Sequence, residues 1–213
     1  MPTGTAIRDV SRQLFDAAER ILLQGGPNAL TSRAVTAEAG CAKGVLHRHF
    51  ADFDAFLAEL VLDRIGQIRD QTRTLHAAAG TNTVADNLTK ALTDLFGSVA
   101  VAIVSLVTAR DELRTRLHQA GSSGVPVLTE ATAMIASYLT AERDQGRVAA
   151  DADVDTIALT LIGAGHLLFA GRRGVAPETG EVRKVVTSIV ADAARQPQPA
   201  PPGRATTAGR RGH

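Results

Sequence analysis

The chain of 213 residues contains no tryptophan, and aromatic residues account for only 3% of it. Apolar residues make up 45% of the sequence, so most of them are aliphatic. Alanine and leucine favour helices that pack through small side chains, and we therefore predict an all-α protein. The length is sufficient for one large or two modest hydrophobic cores, even without many aromatic rings.

The sequence contains only one cysteine, Cys41, which excludes an intramolecular disulfide and cannot by itself form a thiolate-rich metal site. We interpret Cys41 as a packing residue, with a redox role as the alternative. No apolar run has the length of a membrane span, and the N-terminus lacks the charged and then apolar pattern of a secretion signal. These absences predict a cytoplasmic protein with no membrane partner.

The net charge of +1 is nearly balanced, so any affinity for DNA has to come from a local basic patch. Signatures of enzymes are also missing, because the sequence has no glycine-rich phosphate loop, no paired histidines on a helix and no serine elbow. His47 and His49 are two residues apart and project to different faces of a helix, which makes them a poor metal pair. We therefore expect no enzyme, no cofactor and no metal site.

The most informative stretch is residues 30–50, which read LTSRAVTAEAGCAKGVLHRHF and predict two short helices joined by a tight turn. Thr31 can cap the first helix, because its hydroxyl accepts from free backbone N–H groups of the opening turn. Leu30 and Val35 stand at the two positions of a hydrophobic staple. Gly40 ends the helix where the backbone needs a positive φ.

The second helix of this stretch is predicted to begin near Ala42 or Lys43 and to bury Leu46 and Phe50, four residues apart on one face. Its opposite face then carries Lys43, Gly44, Val45, His47 and Arg48. A short helix of this size and charge fits the major groove of DNA. The alternative is a helical hairpin with a solvated charged face, since many helix corners contain a glycine turn.

The stretch belongs to a wider similarity, in which residues 8 to 60 resemble the N-terminal domain of the TetR/AcrR family of bacterial transcriptional repressors. The matching residues are Ala17, Ala18, Ile21, Gly25, Gly26, Thr31, Arg33, Val35, Ala39, Gly40, Lys43, Gly44, Leu46, His49, Phe50, Ala55 and Leu57. The resemblance implies DNA contacts from both short helices. The residues concerned are Thr31, Ser32, Arg33, Lys43, Gly44, Val45, His47, Arg48 and His49.

The sequence departs from the family where polar groups usually contact phosphate. His47 replaces a frequent Tyr, Val45 a frequent Thr and Phe53 a frequent Lys, while Ala42 occupies a position where a capping Ser or Thr is usual. Val45 can meet a thymine methyl group but cannot bond phosphate. We therefore expect moderate affinity for DNA and a salt dependence that is shallow for the family.

The resemblance implies an N-terminal helix-turn-helix DNA-binding domain of three helices, residues 1–51, and a helical effector-binding and dimerisation domain, residues 52–195. We expect about nine helices, including a long fourth helix capped by Asp52 that connects the two domains. The charged segment 111–118 is expected to be exposed. Residues 196–213, rich in Pro, Gly and Arg, are expected to form a disordered tail.

Two groups of apolar residues are assigned roles by the resemblance. A ligand pocket would be lined by Phe96, Ile103, Met134, Tyr138, His166 and Phe169, with ordinary core packing as the alternative. A dimer interface would be formed by Leu161, Gly165, Leu168, Val182, Val186 and Ile189, with burial inside one subunit as the alternative.

The function implied is that of a ligand-responsive repressor, which binds a palindromic double-stranded operator as a homodimer and is released by a small, mostly apolar effector. Activation in place of repression stays open at this point. A helical interaction protein that does not bind DNA is the alternative class, and the missing phosphate partners favour it.

Overall fold

The computed structural model describes residues 4–171 and 175–194, with side chains from residue 10 onward. These residues form ten α-helices and one short 3₁₀ helix, Pro27–Ala29, and no strand. The prediction of an all-α fold is therefore confirmed. In chain order the helices are α1 Gly4–Gly25, α2 Ser32–Glu38, α3 Val45–His49, α4 Phe53–Ala77, α5 Val84–Phe96, α6 Ala100–Ala109, α7 Asp111–Gln119, α8 Pro126–Asp144, α9 Val154–Ala170 and α10 Thr179–Val190. The tail predicted at 196–213 lies outside the described residues.

The helix that the sequence interpretation missed is α7, in the segment expected to be an exposed charged stretch. Leu113 and Leu117 stand four residues apart on one face of α7 and are both buried. Acidic residues lie in its first turn and Arg116 and His118 in its last, which is the arrangement that the helix dipole favours. The charges therefore stabilise a helix here, and only part of the segment is exposed.

The first three helices pack around a small core of their own. Leu14 and Leu22 of α1 are buried, together with Val35 of α2 and Leu46 of α3. Three phenylalanine rings close this core toward α4: the centroid of Phe50 lies 6.0 Å from that of Phe15 and 5.1 Å from that of Phe56. These three phenylalanine rings therefore fix the end of α3 to α1 and α4.

The long helix α4 spans 25 residues, or about 37 Å, and connects the three-helix unit to the remainder of the molecule. Its predicted cap is confirmed, because Asp52 Oδ1 accepts from the backbone N–H of Ala55 at 2.8 Å. Beyond the three-helix unit, α4 packs mainly along α8 and, less extensively, against α7. We call helices α5–α10 with the C-terminal part of α4 the helical body.

Helices α5 and α6 are separated by a short break after Phe96, where Gly97 and Ser98 interrupt the run of apolar residues. Among the described residues, no single helix is long and apolar enough to cross a membrane. In the part of the chain that the structure describes, one bent pair, α5 and α6 with 54° between them, reaches that length and composition together.

A buried polar cluster ties α8 to the far end of the body. Glu142 is fully buried and accepts from the Tyr138 hydroxyl at 2.5 Å. The second oxygen of Glu142 pairs with Arg147 at 3.2 Å and accepts from the backbone N–H of Gly80. Asn87 Nδ2 donates to Tyr138 Oη at 3.1 Å. Burial, together with the bond to Glu142, raises the pKa of Tyr138 far above its usual value, so Tyr138 stays a neutral donor.

Candidate nucleic-acid interface

The helix-turn-helix forms for the local reasons that the sequence suggests. Thr31 has an extended backbone and its Oγ1 accepts from the N–H of Ala34 at 3.1 Å, which confirms the predicted cap. Leu30 and Val35 are both buried at the positions of the staple. Gly40 has φ +65°, as the turn requires. These three features fix the direction in which the chain leaves α2 and enters α3.

The recognition helix begins later than predicted. Residues 42–44 form a single turn, closed by the bond from Val45 N to Ala42 O at 2.9 Å, and α3 itself starts at Val45. The reason is the cap: Ala42 offers no side-chain oxygen, and the N-cap residue Gly44 makes no side-chain bond to the first turn. The helix consequently has only five residues.

Burial on α3 differs in one respect from the prediction. Leu46 is fully buried, whereas Phe50 is half-buried and lies just after the helix with an extended backbone. Although Phe50 is only partly shielded from water, its ring contacts the rings of Phe15 and Phe56. The short helix is therefore anchored by one aliphatic residue and one ring cluster.

Of the nine residues predicted to contact DNA, six are exposed in the structure and three are half-buried. Arg33, Lys43, Gly44, His47 and Arg48 are exposed, Ser32, Val45 and His49 are half-buried, and Thr31 is an exposed cap. Within the described part of the chain, Arg33, Lys43 and Arg48 form no ion pair. We call the exposed surface of Arg33, Lys43, His47 and Arg48 the reading face.

Other cations near the three-helix unit are already engaged. Arg12 of α1 bridges to Asp63 of α4 at 3.0 Å and to Asp16 at 3.4 Å. Cys41, at the turn, is half-buried and its Sγ lies 3.6 Å from the carbonyl oxygen of Ala39. Among the described side chains of the three-helix unit, the lysine and arginines without an ion pair are therefore those of the reading face.

Sequence reasoning missed a contact between the helical body and the start of α4. Arg116 Nη2 lies 2.8 Å from Asp52 Oδ2, and Arg110 donates twice to Asp54 Oδ1 at 2.8 and 3.0 Å. Arg110 also lies over the ring of Phe53, 5.7 Å from its centroid. We call Arg110 and Arg116 the arginine clamp. The bond from the backbone of Ala55 and the contact with Arg116 hold the pKa of Asp52 below its usual value.

A second connection runs through Arg64, which is buried in α4. Its guanidinium donates to Gln67 Oε1 at 2.6 Å and to the hydroxyl of Ser98 at the break between α5 and α6. Gln67 in turn donates to Asp63 at 2.9 Å, and Asp63 binds Arg12 of α1. Burial lowers the pKa of Arg64, and the nearby carboxylates of Glu19 and Asp63 oppose this shift. A continuous series of side-chain hydrogen bonds and ion pairs therefore connects α1 through α4 to the helical body.

The six residues predicted at the dimer interface differ in how far they are buried within the subunit. Leu161, Gly165, Val182 and Val186 are buried within the subunit, and a Cβ added at Gly165 would lie 2.7 Å from the Phe96 ring. Leu168 and Ile189 are half-buried and pack against the same core. Gly165 therefore allows α9 to pack closely on α5 inside one chain, and the dimer interface stays a prediction.

The apolar residues that α9 does expose are different ones. Leu159 is 65% exposed and Leu167 is 74% exposed, and Gly163 lies between them at the same four-residue spacing. The three residues therefore form one stripe along the outer face of α9, which we call the α9 stripe. Sequence could not separate this face from the buried one, because α9 is apolar nearly all round.

Five of the six residues predicted to line a ligand pocket are buried, and His166 is half-buried. Ile103 and Tyr138 are fully buried, and Phe96 packs against Phe169 with centroids 5.8 Å apart and against His166 at 6.0 Å. Burial lowers the pKa of His166, whose Nδ1 has no hydrogen-bond partner within the described residues. Met134 lines a cavity between α4, α5 and α8.

Comparison with known proteins agrees with this architecture. Residues 14–60 match the sequence profile described as bacterial regulatory proteins, tetR family. No curated protein matches the chain. Solved structures of the same fold include a Mesorhizobium loti protein assigned to the TetR family of transcriptional regulators, with a TM-score of 0.67, 16% identity and coverage of 89% of this chain and 98% of that one.

Two further structures of this fold were solved with small molecules. A regulator from Saccharomonospora viridis in complex with choline has a TM-score of 0.64 and 16% identity, covering 89% of this chain and 100% of that one. The transcriptional regulator FadR from Bacillus subtilis in complex with stearoyl-CoA has a TM-score of 0.61 and 18% identity, covering 84% and 97%. At such identities the likeness concerns the fold alone.

Proposed function

We propose that this chain is a ligand-responsive repressor of the TetR family that binds a palindromic operator as a homodimer, because residues 14–60 match the family of bacterial regulatory proteins described as tetR. The family is one of DNA-binding transcription factors and not of enzymes. The single observation that carries the proposal is the exposed reading face on a helix-turn-helix. A cytoplasmic location, where the DNA is, belongs to the same proposal, as does the division into domains at residues 51 and 52.

On the reading face, each residue has a role that follows from its chemistry. Lys43 and Arg48 donate to phosphate oxygens or to guanine acceptors in the major groove, and Arg33 reaches the backbone from α2. Val45, although half-buried, can contact a thymine methyl group. His47 stands where the family often has a Tyr, whose hydroxyl would donate to phosphate, and it can donate there only through a ring N–H. The reading face therefore combines a few charged contacts with little neutral phosphate binding.

The homodimer is proposed to form through the α9 stripe and no longer through the residues that the sequence suggested. Exposed leucines in one row are the kind of apolar patch that marks an interaction surface, and Gly163 lets a second backbone approach closely. Two copies are needed because two recognition helices must lie about 34 Å apart to enter successive major grooves.

Release by an effector would act through α4 and the arginine clamp. Both Arg110 and Arg116 belong to the helical body, and both bind the first residues of α4, directly after the recognition helix. A rearrangement of the body would therefore turn the reading face in the same movement. To change the ratio of released to DNA-binding form from 1:99 to 99:1, the ligand must bind the released form more strongly by about 5.5 kcal/mol.

Two proteins of the same fold, from Saccharomonospora viridis and Bacillus subtilis, were solved in complex with choline and with stearoyl-CoA, which supports a ligand-responsive function here. Neither compound is proposed as the effector of this chain. A small molecule of modest size, mostly apolar, is proposed instead, because the cavity beside Met134 is small and partly aliphatic.

The experiment that tests the proposal is a mobility shift with DNA flanking the gene, in the presence of excess unrelated DNA. We expect a competition-resistant shift on a fragment that contains a near-palindrome. A protein that shifts no fragment in the presence of competitor would contradict the proposal and favour the alternative, a helical interaction protein that does not bind DNA. A reporter gene placed behind the shifted fragment then distinguishes repression from activation.

A further inference from the structure

His166 lies on the outer face of α9, in line with the α9 stripe. One side of this helix carries residues at intervals of four, three and four positions, and these are Leu159, Gly163, His166 and Ala170. The other three are exposed, whereas His166 is half-buried because its ring packs on Phe96 of α5, with 6.0 Å between the centroids. The imidazole is therefore part of the surface that contains the stripe.

The outer face of α9 carries no charged residue along most of its length. From residue 156 to residue 171 the chain has no acidic residue, no lysine and no arginine, and His166 is the one titratable side chain. Asp155, at the start of the helix, lies eleven residues before His166, or about 16 Å along the axis. An uncharged face can meet an identical face without like-charge repulsion, which favours a second copy of this chain as its partner.

One ring nitrogen of His166 has no acceptor for a proton that it would carry. Nδ1 is buried and has no hydrogen-bond partner within the described residues. A neutral imidazole can keep its single proton on Nε2, whereas a protonated imidazole donates from both nitrogens. A buried charged N–H without an acceptor is costly. The protonated ring is therefore stable only if it turns Nδ1 toward water at the outer face of α9.

Charged groups on the helices that pack against α9 do not compensate for a charge on His166. On α5, Lys90 pairs with Asp94, and Asp86 pairs with Arg183 of α10. Helix α6 has no charged residue. The remaining charged residues of α8 and α10 are Glu130, Glu142, Arg143, Asp144, Glu181 and Lys184. Burial alone lowers the pKa of His166 from its ordinary value, so none of these groups stabilises the protonated ring.

From this placement we infer that a second copy of the chain covers the α9 stripe only while His166 is neutral, so that acidification separates the two subunits. Covering the stripe removes the exposed part of the ring from water and prevents Nδ1 from turning outward. A proton therefore binds the free subunit more readily than the dimer. By linkage, the dimer is favoured above the pKa of His166 in the free subunit and is lost as the pH falls below it. The inference rests on the proposed homodimer and adds a condition to it.

The test measures the dissociation constant of the dimer for the full chain without DNA, at pH 7.5 and at pH 5.5. Sedimentation velocity of protein labelled with a fluorophore at the N-terminus gives this constant. We expect it to rise at least about tenfold at the lower pH, because each dimer contains two copies of His166. Circular dichroism at both pH values checks that the subunit stays folded. A constant that is unchanged or smaller at pH 5.5 would overturn the inference.

Three variants assign the effect of pH to this side chain. His166→Gln is neutral at both pH values, and its dissociation constant should not depend on pH. His76→Gln, at an exposed histidine of α4, is the matched control and should keep the dependence of the unchanged chain. His166→Lys carries a permanent charge and should be monomeric at pH 7.5, which tests the inference without acid. The same dependence on pH in His166→Gln, or a tight dimer of His166→Lys, would contradict it.

A second measurement follows the imidazole itself. An NMR titration of the ring protons of His166 is recorded at one protein concentration that favours the free subunit and at one that favours the dimer. The pKa should be lower at the higher concentration, because the dimer binds the proton less readily. Equal pKa values at the two concentrations would mean that the ring is not covered by the second copy.

Failure of this inference is distinguishable from failure of the proposed function. A dimer whose dissociation constant does not change with pH leaves the proposed homodimer in place and removes the role of His166. A chain that is monomeric at micromolar concentration and pH 7.5 contradicts the proposed homodimer, and the inference fails with it. Operator binding is measured separately, so a shift on DNA is not needed for either result.

Discussion

The reading face and the α9 stripe are two exposed surfaces of opposite chemistry. The first carries Arg33, Lys43 and Arg48 without ion-pair partners among the described residues, and the second carries Leu159 and Leu167 more than half exposed. Exposed cations are well solvated in water, whereas a row of exposed leucines is stabilised by covering it. The comparison therefore suggests a permanent partner for the stripe and a reversible, salt-sensitive partner for the reading face.

The largest effect is expected at the α9 stripe. Replacing Leu159 and Leu167 together by Glu places charges on a surface that we propose to be covered, so the dimer should dissociate at micromolar concentration. The fold should persist, because neither side chain is buried in the subunit. Analytical ultracentrifugation and circular dichroism measure the two quantities.

The matched control for the stripe is Leu161→Ala, a residue originally expected at the interface. Leu161 is fully buried, so its truncation should lower the free energy of unfolding by about 2–5 kcal/mol and leave the association state unchanged. A stable Leu161→Ala protein that has become monomeric would contradict the placement of the interface on the outer face of α9.

The second prediction concerns the reading face. Lys43→Ala combined with Arg48→Ala removes two charged contacts in each subunit, and operator affinity should fall at least about 100-fold. Association state and melting temperature should not change, since both side chains are exposed and unpaired. Lys184→Ala, at an exposed lysine of α10, is the control. Fluorescence anisotropy with a labelled operator gives the affinities, and unchanged affinity in the double variant would exclude the reading face.

A smaller effect is expected at the arginine clamp. Arg110→Gln removes the paired bonds to Asp54, which are half-buried, so opening of the first turn of α4 should become about three- to fivefold more frequent. Hydrogen exchange of the amides of residues 54–57 measures this change. Arg114→Gln is the control, because Arg114 pairs with Asp111 on its own helix. Equal exchange in the two variants would mean that the clamp does not hold α4.

The smallest effect is expected in the salt dependence. Three unpaired cations on each reading face give six phosphate contacts at most in a dimer, and the slope of log K against log salt should be about −5 or shallower. A slope of about −8 would mean that many further phosphate contacts exist, and the departures at Val45, His47 and Phe53 would then have been misread. Phe53 in particular packs on Phe56 and under Arg110, away from a phosphate role.

The N-terminal unit could be predicted because its signals are local. The cap at Thr31, the staple of Leu30 and Val35, and the positive φ of Gly40 each depend on residues at most five positions apart. The structure begins α3 later than the sequence predicts for an equally local reason, since Ala42 has no side-chain oxygen with which to cap the helix. Sequence patterns are informative where one side chain satisfies a neighbouring backbone group.

The helical body could be predicted only as a set of helices. Which face of α9 is buried depends on α5, α8 and α10 packing against it, and an all-round apolar helix carries no such information. The arginine clamp joins residues 56 and 64 positions apart, and no spacing rule predicts such pairs. The role of Tyr138 as a buried donor to Glu142 was hidden for the same reason.

The central claim is that two copies of α3 face DNA together, and the distance between them tests it most directly. A spin label at exposed Ala42→Cys, in a Cys41→Ser background, reports that distance by pulsed electron resonance on the protein bound to the shifted fragment. We expect a single distribution of distances at about 34 Å, with a width set by the flexibility of the label, because successive major grooves have this spacing. No dipolar coupling between labels, or a distribution far beyond this spacing with DNA bound, would contradict it.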